Sequence, residues 1–401
     1  ETRPSPPGGR RVRWAVSRAA LLASVLMLAM GMTGDCRLAN AGRPARPAPG
    51  EDAAGRVPQP PRRPYHLSAR DQVLLETIAA RTFGYFRDTA NPQNGLVPDR
   101  WPTPSFSSIA AVGFGLTAYP IAVERGYMSR ADARARVKTT LEFLRNAPQN
   151  PGSTGVSGFN GFFYHFLDMN TGLRYQQVEL SPVDTALLMA GVLTCGAYFD
   201  DPADPDEAAI RSDAETLYGK VQWDWMQTPH PPAIALEWTP ERGFDPLDWH
   251  GYDEAMILYI LALGSTTHPA QGAAWGAWSS TYQWGPFYGE EYLAFGPLFG
   301  HQYSHVWIDF RGIRDAYMRQ HGIDYFENSR RATYAHRAYA VANPSQWRGY
   351  GWNTWGITAC DGPGDVTLTI DGLSRRFYGY AGRGAGMLGI LDDGTIAPTG
   401  A

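Results

Sequence analysis

Apolar residues recur at helical spacing along most of the chain, and this pattern predicts a series of helices. Residues 69–87 are typical, because Leu74, Ile78 and Phe83 fall near one face of a 3.6-residue period. A serine precedes several of these stretches, and Ser129 with Asp132 three residues later is typical of a capped helix start. The pattern predicts helices over residues 69–87, 107–125, 129–146, 181–199, 205–226, 251–264, 304–320 and 325–342.

The remaining segments are rich in Gly, Pro and aromatic residues. Residues 162–167, followed by Asn170-Thr171-Gly172, predict a short β-hairpin. The long loop at 265–303 is unusual for a compact domain and indicates a functional segment. Helices that follow one another without alternating parallel strands predict an all-α toroid. The pattern predicts about eight helices, whereas an (α/α)6 barrel needs twelve, so we expect both ends of the chain to be incomplete.

The N-terminal segment has the pattern of an export signal. Arg10, Arg11 and Arg13 precede the apolar stretch 19–32, and Ala39-Asn40-Ala41 supplies a cleavage site. The apolar stretch is too short to span a bilayer comfortably. We therefore predict a signal peptide at 1–41, a disordered Pro/Arg-rich linker at 42–64 and one folded domain at 65–401. The mature protein would be periplasmic or secreted, without stable membrane insertion, and its export route stays open.

Composition narrows the function further. A net charge of −4 gives no reason to expect nucleic acid as a partner. Aromatic residues make up 13% of the chain, including 13 Trp, and flat amphipathic rings suit packing against sugar faces. None of Cys36, Cys195 and Cys360 lies in a C-x-x-C pair, so no zinc ribbon is indicated, and we expect Cys195 to be a buried small hydrophobe.

Two adjacent carboxylates, Asp253 and Glu254, stand at the start of an otherwise apolar predicted helix. Carboxyl groups perform general acid and base chemistry on glycosidic bonds, and the neighbouring Met256, Ile257 and Tyr259 could raise the pKa of Glu254 by removing water. The alternative is that both acids only stabilise the helix N-terminus.

His301, His305 and Asp309 recur every four residues, which would place them on one side of the predicted helix. That spacing could bind zinc, but no further ligand cluster accompanies it, so we predict no metal site. Contact of His305 with sugar hydroxyls, with Asp309 paired to Arg311 or Arg314, is the preferred interpretation. A structural role for His301 is the default.

Several phrases occur in a characteristic order. They are Asp184-Thr-Ala-Leu-Leu-Met-Ala-Gly, Gly251-Tyr-Asp-Glu-Ala, Gly296-Pro-Leu-Phe-Gly-His-Gln-Tyr-Ser-His, Asp324-Tyr-Phe-Glu-Asn-Ser, Trp355-Gly-Ile-Thr-Ala-Cys-Asp-Gly and Asp393-Gly-Thr-Ile-Ala-Pro-Thr. Together they resemble the glucoamylase-like (glycoamylase) domain family, which includes bacterial endo-β-1,2-glucanases. The resemblance covers residues 69–401. It implies an (α/α)6 barrel and inverting hydrolysis of β-1,2-glucan.

The resemblance also assigns roles to residues. Glu254 matches the general acid, and Asp184 matches an acidic position in the same pocket. The general base of the family is an Asp in an Ile-Asp-Gln-Gly phrase that we expect beyond residue 401. The resemblance also places the loop of Asp99 near the pocket, and Glu179 is a reserve candidate for a catalytic role.

The predicted site therefore has two catalytic candidates, Glu254 and Asp184. Seven residues are predicted to bind substrate: Asp99, Glu179, Trp238, Asp253, His305, Trp355 and Asp361. The substrate would be an oligo- or polysaccharide, and no cofactor is needed. A polysaccharide lyase and a non-catalytic glucan-binding protein remain alternatives.

Overall fold

The computed structural model describes residues 67–400. The predicted signal peptide, the linker and Cys36 lie outside the described residues. The chain divides into two compact units. The first, called the N-terminal unit, contains residues 67–283 and 303–309, and the second, called the C-terminal unit, contains residues 284–302 and 310–400.

Helices form most of the N-terminal unit. They are α1 (Ala69–Thr89), α2 (Ile109–Glu124), α3 (Arg130–Asn146), α4 (Pro182–Tyr198), α5 (Pro205–Lys220), α6 (Trp223–Met226), α7 (Met256–Gly264) and α8 (Ala274–Ser279), with a 3-10 helix at Tyr303–Val306. The C-terminal unit contains α9 (Ala316–Gln320), α10 (Tyr325–Ala342) and 3-10 helices at Leu298–His301 and Pro398–Gly400.

The described strands are short and form two-stranded antiparallel sheets. In the N-terminal unit they are β1 (Ser107–Ser108), β2 (Gly158–Phe159), β3 (Phe162–Phe163), β4 (Phe166–Leu167), β5 (Trp238–Thr239) and β6 (Gly243–Phe244). The C-terminal unit has β7 (Trp284–Phe287), β8 (Glu290–Leu293), β9 (Cys360–Asp361), β10 (Val366–Ile370), β11 (Leu373–Phe377), β12 (Tyr380–Ala381), β13 (Gly384–Gly386) and β14 (Gly389–Leu391). The pairs are β1–β4, β2–β3, β5–β6, β7–β8, β9–β12, β10–β11 and β13–β14.

Helices α2 and α4 approach each other closely in the core of the N-terminal unit. A Cβ atom on Gly113 would lie 2.3 Å from the carbonyl oxygen of Leu187, and one on Gly191 would lie 2.1 Å from that of Gly113. Only glycine permits this backbone contact, because any side chain would collide with main-chain atoms. The contact fixes α4, whose first turn carries Asp184.

The helical periodicity predicts most of the long helices correctly. The predictions for 69–87, 107–125, 129–146, 181–199 and 325–342 are confirmed within two residues at each end. Ser129 accepts a hydrogen bond from the backbone N–H of Asp132, as expected for a cap. The predicted helix 205–226 is present as two helices, because the chain leaves α5 at Val221 and re-enters a helix at Trp223. Cys195 is buried, as predicted.

Two helix predictions are wrong in detail. Residues 251–255 form turns, because Gly251 has a φ of +86° and the Asp253 carboxylate accepts a hydrogen bond from the backbone N–H of Ala255. The segment 304–320 is not one helix. Only its ends are helical, and Gly312, with a φ of +79°, lies between them. The spacing argument for His301, His305 and Asp309 therefore fails, since no continuous helix joins them.

The predicted hairpin is present only in part. Leu167 pairs with Arg174 across the Asn170–Gly172 turn. The two neighbouring strands pair elsewhere, β3 with β2 and β4 with β1. The described chain is thus helix-rich with small sheets, while the (α/α)6 barrel stays a prediction. Among residues 67–400, no helix is long and apolar enough to cross a membrane.

Candidate active site

Asp184 is held in the first turn of α4 by a local capping arrangement. The Ser181 hydroxyl accepts a hydrogen bond from the backbone N–H of Asp184 at 3.2 Å and donates one to Asp184 Oδ2 at 2.5 Å. Pro182 occupies the first turn, where its missing N–H costs nothing. The Asp184 side chain is therefore fixed by residues within four positions of it in the sequence.

Glu179 reaches the same place through a backbone pairing. Leu180 and Trp238 form an isolated antiparallel bridge with N–O distances of 2.8 and 3.2 Å. This bridge brings residues 179–181 alongside residues 237–239, although the two segments are distant in sequence. Glu179 is buried, and its carbonyl oxygen accepts a hydrogen bond from the backbone N–H of His165 at 2.9 Å.

His165 lies between Glu179 and Asp184. Its Nδ1 is 2.6 Å from Glu179 Oε1, and its Nε2 is 3.6 Å from Asp184 Oδ2. Loss of solvation favours the neutral ring. The charges of Asp184 and Glu179 and the hydrogen bond with Glu179 outweigh it and raise the His165 pKa to about 9. The ring is thus an imidazolium at neutral pH.

The imidazolium acts differently on its two partners. Burial favours protonation of Glu179, but the charge and hydrogen bond of His165 prevail and lower the Glu179 pKa. Burial raises the pKa of Asp184, as do the charges of Glu179 and Asp99, while His165 opposes the rise. Asp99 is itself paired with Arg100 at 2.7 Å.

Glu254 lies in the turn before α7. Because that helix has no cap from its own N-terminal residues, Ser304 supplies one, and its hydroxyl accepts a hydrogen bond from the backbone N–H of Ile257 at 3.1 Å. Leu187, Ala190 and Ile257 form one apolar cluster, so the N-terminal half of α4 packs against the first turn of α7. This packing explains why Asp184 and Glu254, each three residues before a member of the cluster, interact.

The environment of Glu254 favours the protonated carboxyl. Loss of solvation is the largest cause and the charge of Asp184 adds to it, so the pKa rises to about 7 in spite of a backbone hydrogen bond that lowers it. Tyr303 and Trp307 pack on the apolar cluster that contains Ile257. The side chain is only partly buried. A carboxyl of this kind can give up a proton at neutral pH.

Asp253 has a different environment from its neighbour. Its Oδ1 accepts hydrogen bonds from the backbone N–H of Ala255 at 2.9 Å and from Trp278 Nε1 at 3.2 Å. The side chain is 8% exposed, and burial followed by the charge of Glu254 raises its pKa well above the ordinary value. These contacts shape the turn that presents Glu254.

Glu237 is a member of the cluster that the sequence did not reveal. Burial, followed by the charges of Glu179 and Asp245, raises its pKa to about 7, against the opposing charges of Arg242 and His165. Arg242 Nη2 lies 3.0 Å from Glu237 Oε1. The preceding sequence offers no periodicity that would single out this residue, and only the bridge between Leu180 and Trp238 brings it near Glu179.

The remaining predicted residues are placed as follows. Trp238 is half-buried and packs against Phe159 and Trp225, with ring centroids 5.4 and 5.6 Å away. His305 lies in the 3-10 helix Tyr303–Val306 of the N-terminal unit. In the C-terminal unit, Trp355 packs on the core of Tyr292 and Leu298, and Asp361 is exposed in β9.

The cluster of carboxylates and His165 is defined by the contacts described above. Two cavities of the N-terminal unit, of about 330 and 380 Å³, are lined by other residues. Within the described part of the chain, no group of three or more His, Cys, Asp or Glu side chains is arranged to hold a metal ion.

Comparison with known proteins agrees with the family that the motifs indicated. Residues 246–401 match the Glycoamylase family model, described as "Putative glucoamylase". The recognition of a glucoamylase-like chain is therefore confirmed. A curated relative is the exo beta-1,2-glucooligosaccharide sophorohydrolase (non-reducing end) of Parabacteroides distasonis. It is 26% identical over 366 residues, which cover 82% of this chain and 46% of the relative, so the chain spans about half of its length.

Solved structures share the fold. The endo-beta-1,2-glucanase of Chitinophaga pinensis, in complex with sophorotriose and glucose, is 25% identical with a TM-score of 0.68, over 84% of this chain and 78% of that chain. A protein of Bacteroides fragilis described as a "putative glucoamylase" is 28% identical with a TM-score of 0.65, over 81% and 75% of the two chains.

Proposed function

We propose that this protein is a glycoside hydrolase that cleaves β-linked glucan, with β-1,2-glucan as the preferred substrate, and that Glu254 is its general acid. The observation that carries the proposal is the environment of Glu254, a partly accessible carboxyl with a pKa of about 7 near the partly buried Asp184. A general acid needs a pKa near the working pH, since it must hold a proton and then release it.

The reaction follows from these protonation states. Glu254 donates its proton to the glycosidic oxygen as the bond to the anomeric carbon breaks, and a second carboxylate removes a proton from the attacking water. Loss of solvation, to which the charge of Asp184 adds, keeps Glu254 protonated before the reaction. The resemblance assigns the water-activating role in an inverting mechanism to an Asp in an Ile-Asp-Gln-Gly phrase, and this assignment stays a prediction.

The substrate class is supported by the relatives. The names of two of them state activity on β-1,2-linked glucose oligomers or glucan. Their likeness to this chain supports the same linkage here and an (α/α)6 barrel as the frame. The half-buried Trp238 and its aromatic neighbours offer ring faces of the type that stack on sugars. Function in the periplasm or outside the cell rests on the predicted signal peptide.

Product analysis tests the proposal. The full-length protein, which includes the expected Ile-Asp-Gln-Gly phrase, is incubated with β-1,2-, β-1,3- and α-1,4-glucans beside its Glu254→Gln and Glu76→Gln variants, and released sugars are separated by chromatography. We expect β-1,2-glucan to be cleaved and Glu254→Gln to lower kcat by about 10²–10⁴-fold, the usual contribution of a general acid. Glu76→Gln, which removes an exposed carboxyl of α1 that pairs with Arg125 at 3.0 Å, is the matched control and should retain most of the activity.

Other outcomes would contradict the proposal. Unchanged turnover by Glu254→Gln would exclude this residue as the acid, and cleavage of α-1,4-glucan alone would exclude the proposed linkage. Products that absorb ultraviolet light would indicate a lyase. Oligosaccharide binding without new reducing ends would indicate a glucan-binding protein.

A further inference from the structure

We infer that His165 is a positioning residue whose positive charge keeps Asp184 ionised and, through Asp184, keeps the proton on Glu254. Its role in a reaction rests on the proposed function. The residue lies in the segment Phe162-Phe163-Tyr164-His165-Phe166-Leu167, which the sequence marks only as a strand pattern.

The His165 ring is held in one orientation by contacts on several sides. Its two ring nitrogens face Glu179 at 2.6 Å and Asp184 at 3.6 Å, and the ring stacks on Phe166 with centroids 3.8 Å apart. The backbone is held as well, since the carbonyl oxygen of His165 accepts a hydrogen bond from the N–H of Ile109 at 3.2 Å. A ring fixed between two carboxylates acts as a permanent bridge between them.

The His165 imidazolium is a positive group that contacts both Glu179 and Asp184. Glu179, Asp184 and Asp99 all favour the charged ring. The arginines near these acids have other partners: Arg100 pairs with Asp99, Arg174 with Glu241, and Arg242 with Glu237. Removing the charge of His165 would leave the partly buried Asp184 beside Glu179 and Asp99, with no cation of residues 67–400 in contact.

Loss of the His165 charge should change the pKa values of Asp184 and Glu254 in opposite directions. Without the imidazolium, the pKa of Asp184 rises further, because only the hydrogen bond from Ser181 then opposes burial and the two acidic neighbours. A protonated Asp184 no longer repels the charged form of Glu254. The pKa of Glu254 then falls, since one of the two causes that raise it has disappeared.

The pH profile of hydrolysis separates this role from a merely structural one. In the wild type, the rate falls above the pKa of Glu254. In His165→Gln, we expect the alkaline limb to move down by about 0.5–1 pH unit, which is a roughly three- to tenfold loss of rate on that limb. His165→Lys restores a positive charge and should move the limb back toward that of the wild type. His230→Gln is the control, because His230 is also paired with a carboxylate, that of Asp248 at 3.2 Å, but is exposed.

Two results would overturn the inference. One is that His165→Gln lowers the rate by the same factor at all pH values, while the alkaline limb of the pH–rate profile stays where it is in the wild type. The other needs no variant: the ring nitrogens of His165 are titrated by NMR in the wild-type chain, where we expect a midpoint of about 9. A midpoint at or below the ordinary value would contradict the inference even if His165→Gln does not fold. Absence of hydrolysis by the full-length wild type, with the His165 midpoint near 9, would instead count against the proposed function alone.

Discussion

At the scale of single residues, the site depends on the balance between burial and neighbouring charge. Glu254 and Glu179 are both glutamates in dry surroundings, but their pKa values shift in opposite directions. The difference comes from the neighbours, since Glu179 contacts an imidazolium and Glu254 is repelled by Asp184. Two carboxyls with different protonation states at one pH can divide the roles of acid and base.

A stability measurement tests the Glu254 assignment without activity. Because the pKa of Glu254 is about 7 in the folded chain and near 4.5 when unfolded, folding favours the protonated form. The stability of the wild type should therefore fall as the pH rises from about 4.5 through 7. In Glu254→Gln this loss is absent, so we expect the variant to gain on the order of 1–3 kcal/mol in free energy of unfolding at pH 8 relative to the wild type.

At pH 4 the same comparison should give little difference, because both the folded and the unfolded wild type are then mostly protonated at this position. Urea unfolding at pH 4 and pH 8 measures the free energy of unfolding of the wild type and of Glu254→Gln. A gain that is equal at pH 4 and pH 8 would mean that the carboxyl is not desolvated.

At the scale of elements, helix starts position the chemistry. Asp184 occupies the first turn of α4, which its own Ser181 caps, while Glu254 precedes α7, which Ser304 caps from a distant segment. The first arrangement is local, and the Ser181 to Asp184 spacing is visible in the sequence. The second is not, because residues 257 and 304 are brought together only by folding.

Replacing the distant cap should weaken α7. We expect Ser304→Ala to lower the free energy of unfolding by about 1 kcal/mol, since the N–H of Ile257 then loses its partner in a buried place. Ser212→Ala, at an exposed position of α5, is the matched control and should change stability by less than about 0.5 kcal/mol. Equal effects of the two substitutions in urea unfolding would contradict the capping role of Ser304.

The same distinction explains how far the sequence predicts the structure. Helix periodicity and serine caps are local signals, and they locate α1 to α4 and α10 well. His165 and Glu237 enter the site through pairings between distant segments, β4 with β1 and Leu180 with Trp238. No short window of sequence contains those pairings. The sequence indicates Glu254 by adjacent carboxylates at the start of an apolar segment and by a family phrase, whereas Asp184 is indicated by its family phrase.

At the scale of the whole molecule, the two units contain different groups of buried or partly buried charges. The N-terminal unit contains the carboxylates and His165. The C-terminal unit contains a buried ion pair, in which Arg383 contacts both carboxylate oxygens of Asp393 at 2.7 Å. Arg383 also donates to the carbonyl oxygen of Tyr378 at 2.8 Å. Asp393 begins one of the family phrases, and its contacts with Arg383 are those of a residue that stabilises the fold.

Breaking this pair should destabilise the C-terminal unit strongly. We expect Arg383→Met to lower the free energy of unfolding by about 3–5 kcal/mol, because Asp393 is left buried without its partner. Arg376→Met is the control. It removes an exposed arginine whose contact with Asp365 is 3.7 Å long, and should cost less than about 1 kcal/mol. Similar losses for both variants in urea unfolding would show that the Arg383–Asp393 pair is not specifically stabilising.

The most direct measurement is a titration of the Glu254 carboxyl carbon by NMR in the wild-type chain, with Glu254→Gln used to assign the resonance. We predict a midpoint of about 7, which means that the carboxyl still holds its proton when ordinary glutamates have lost theirs. A midpoint near 4.5 would contradict the assignment of Glu254 as an acid poised for proton donation.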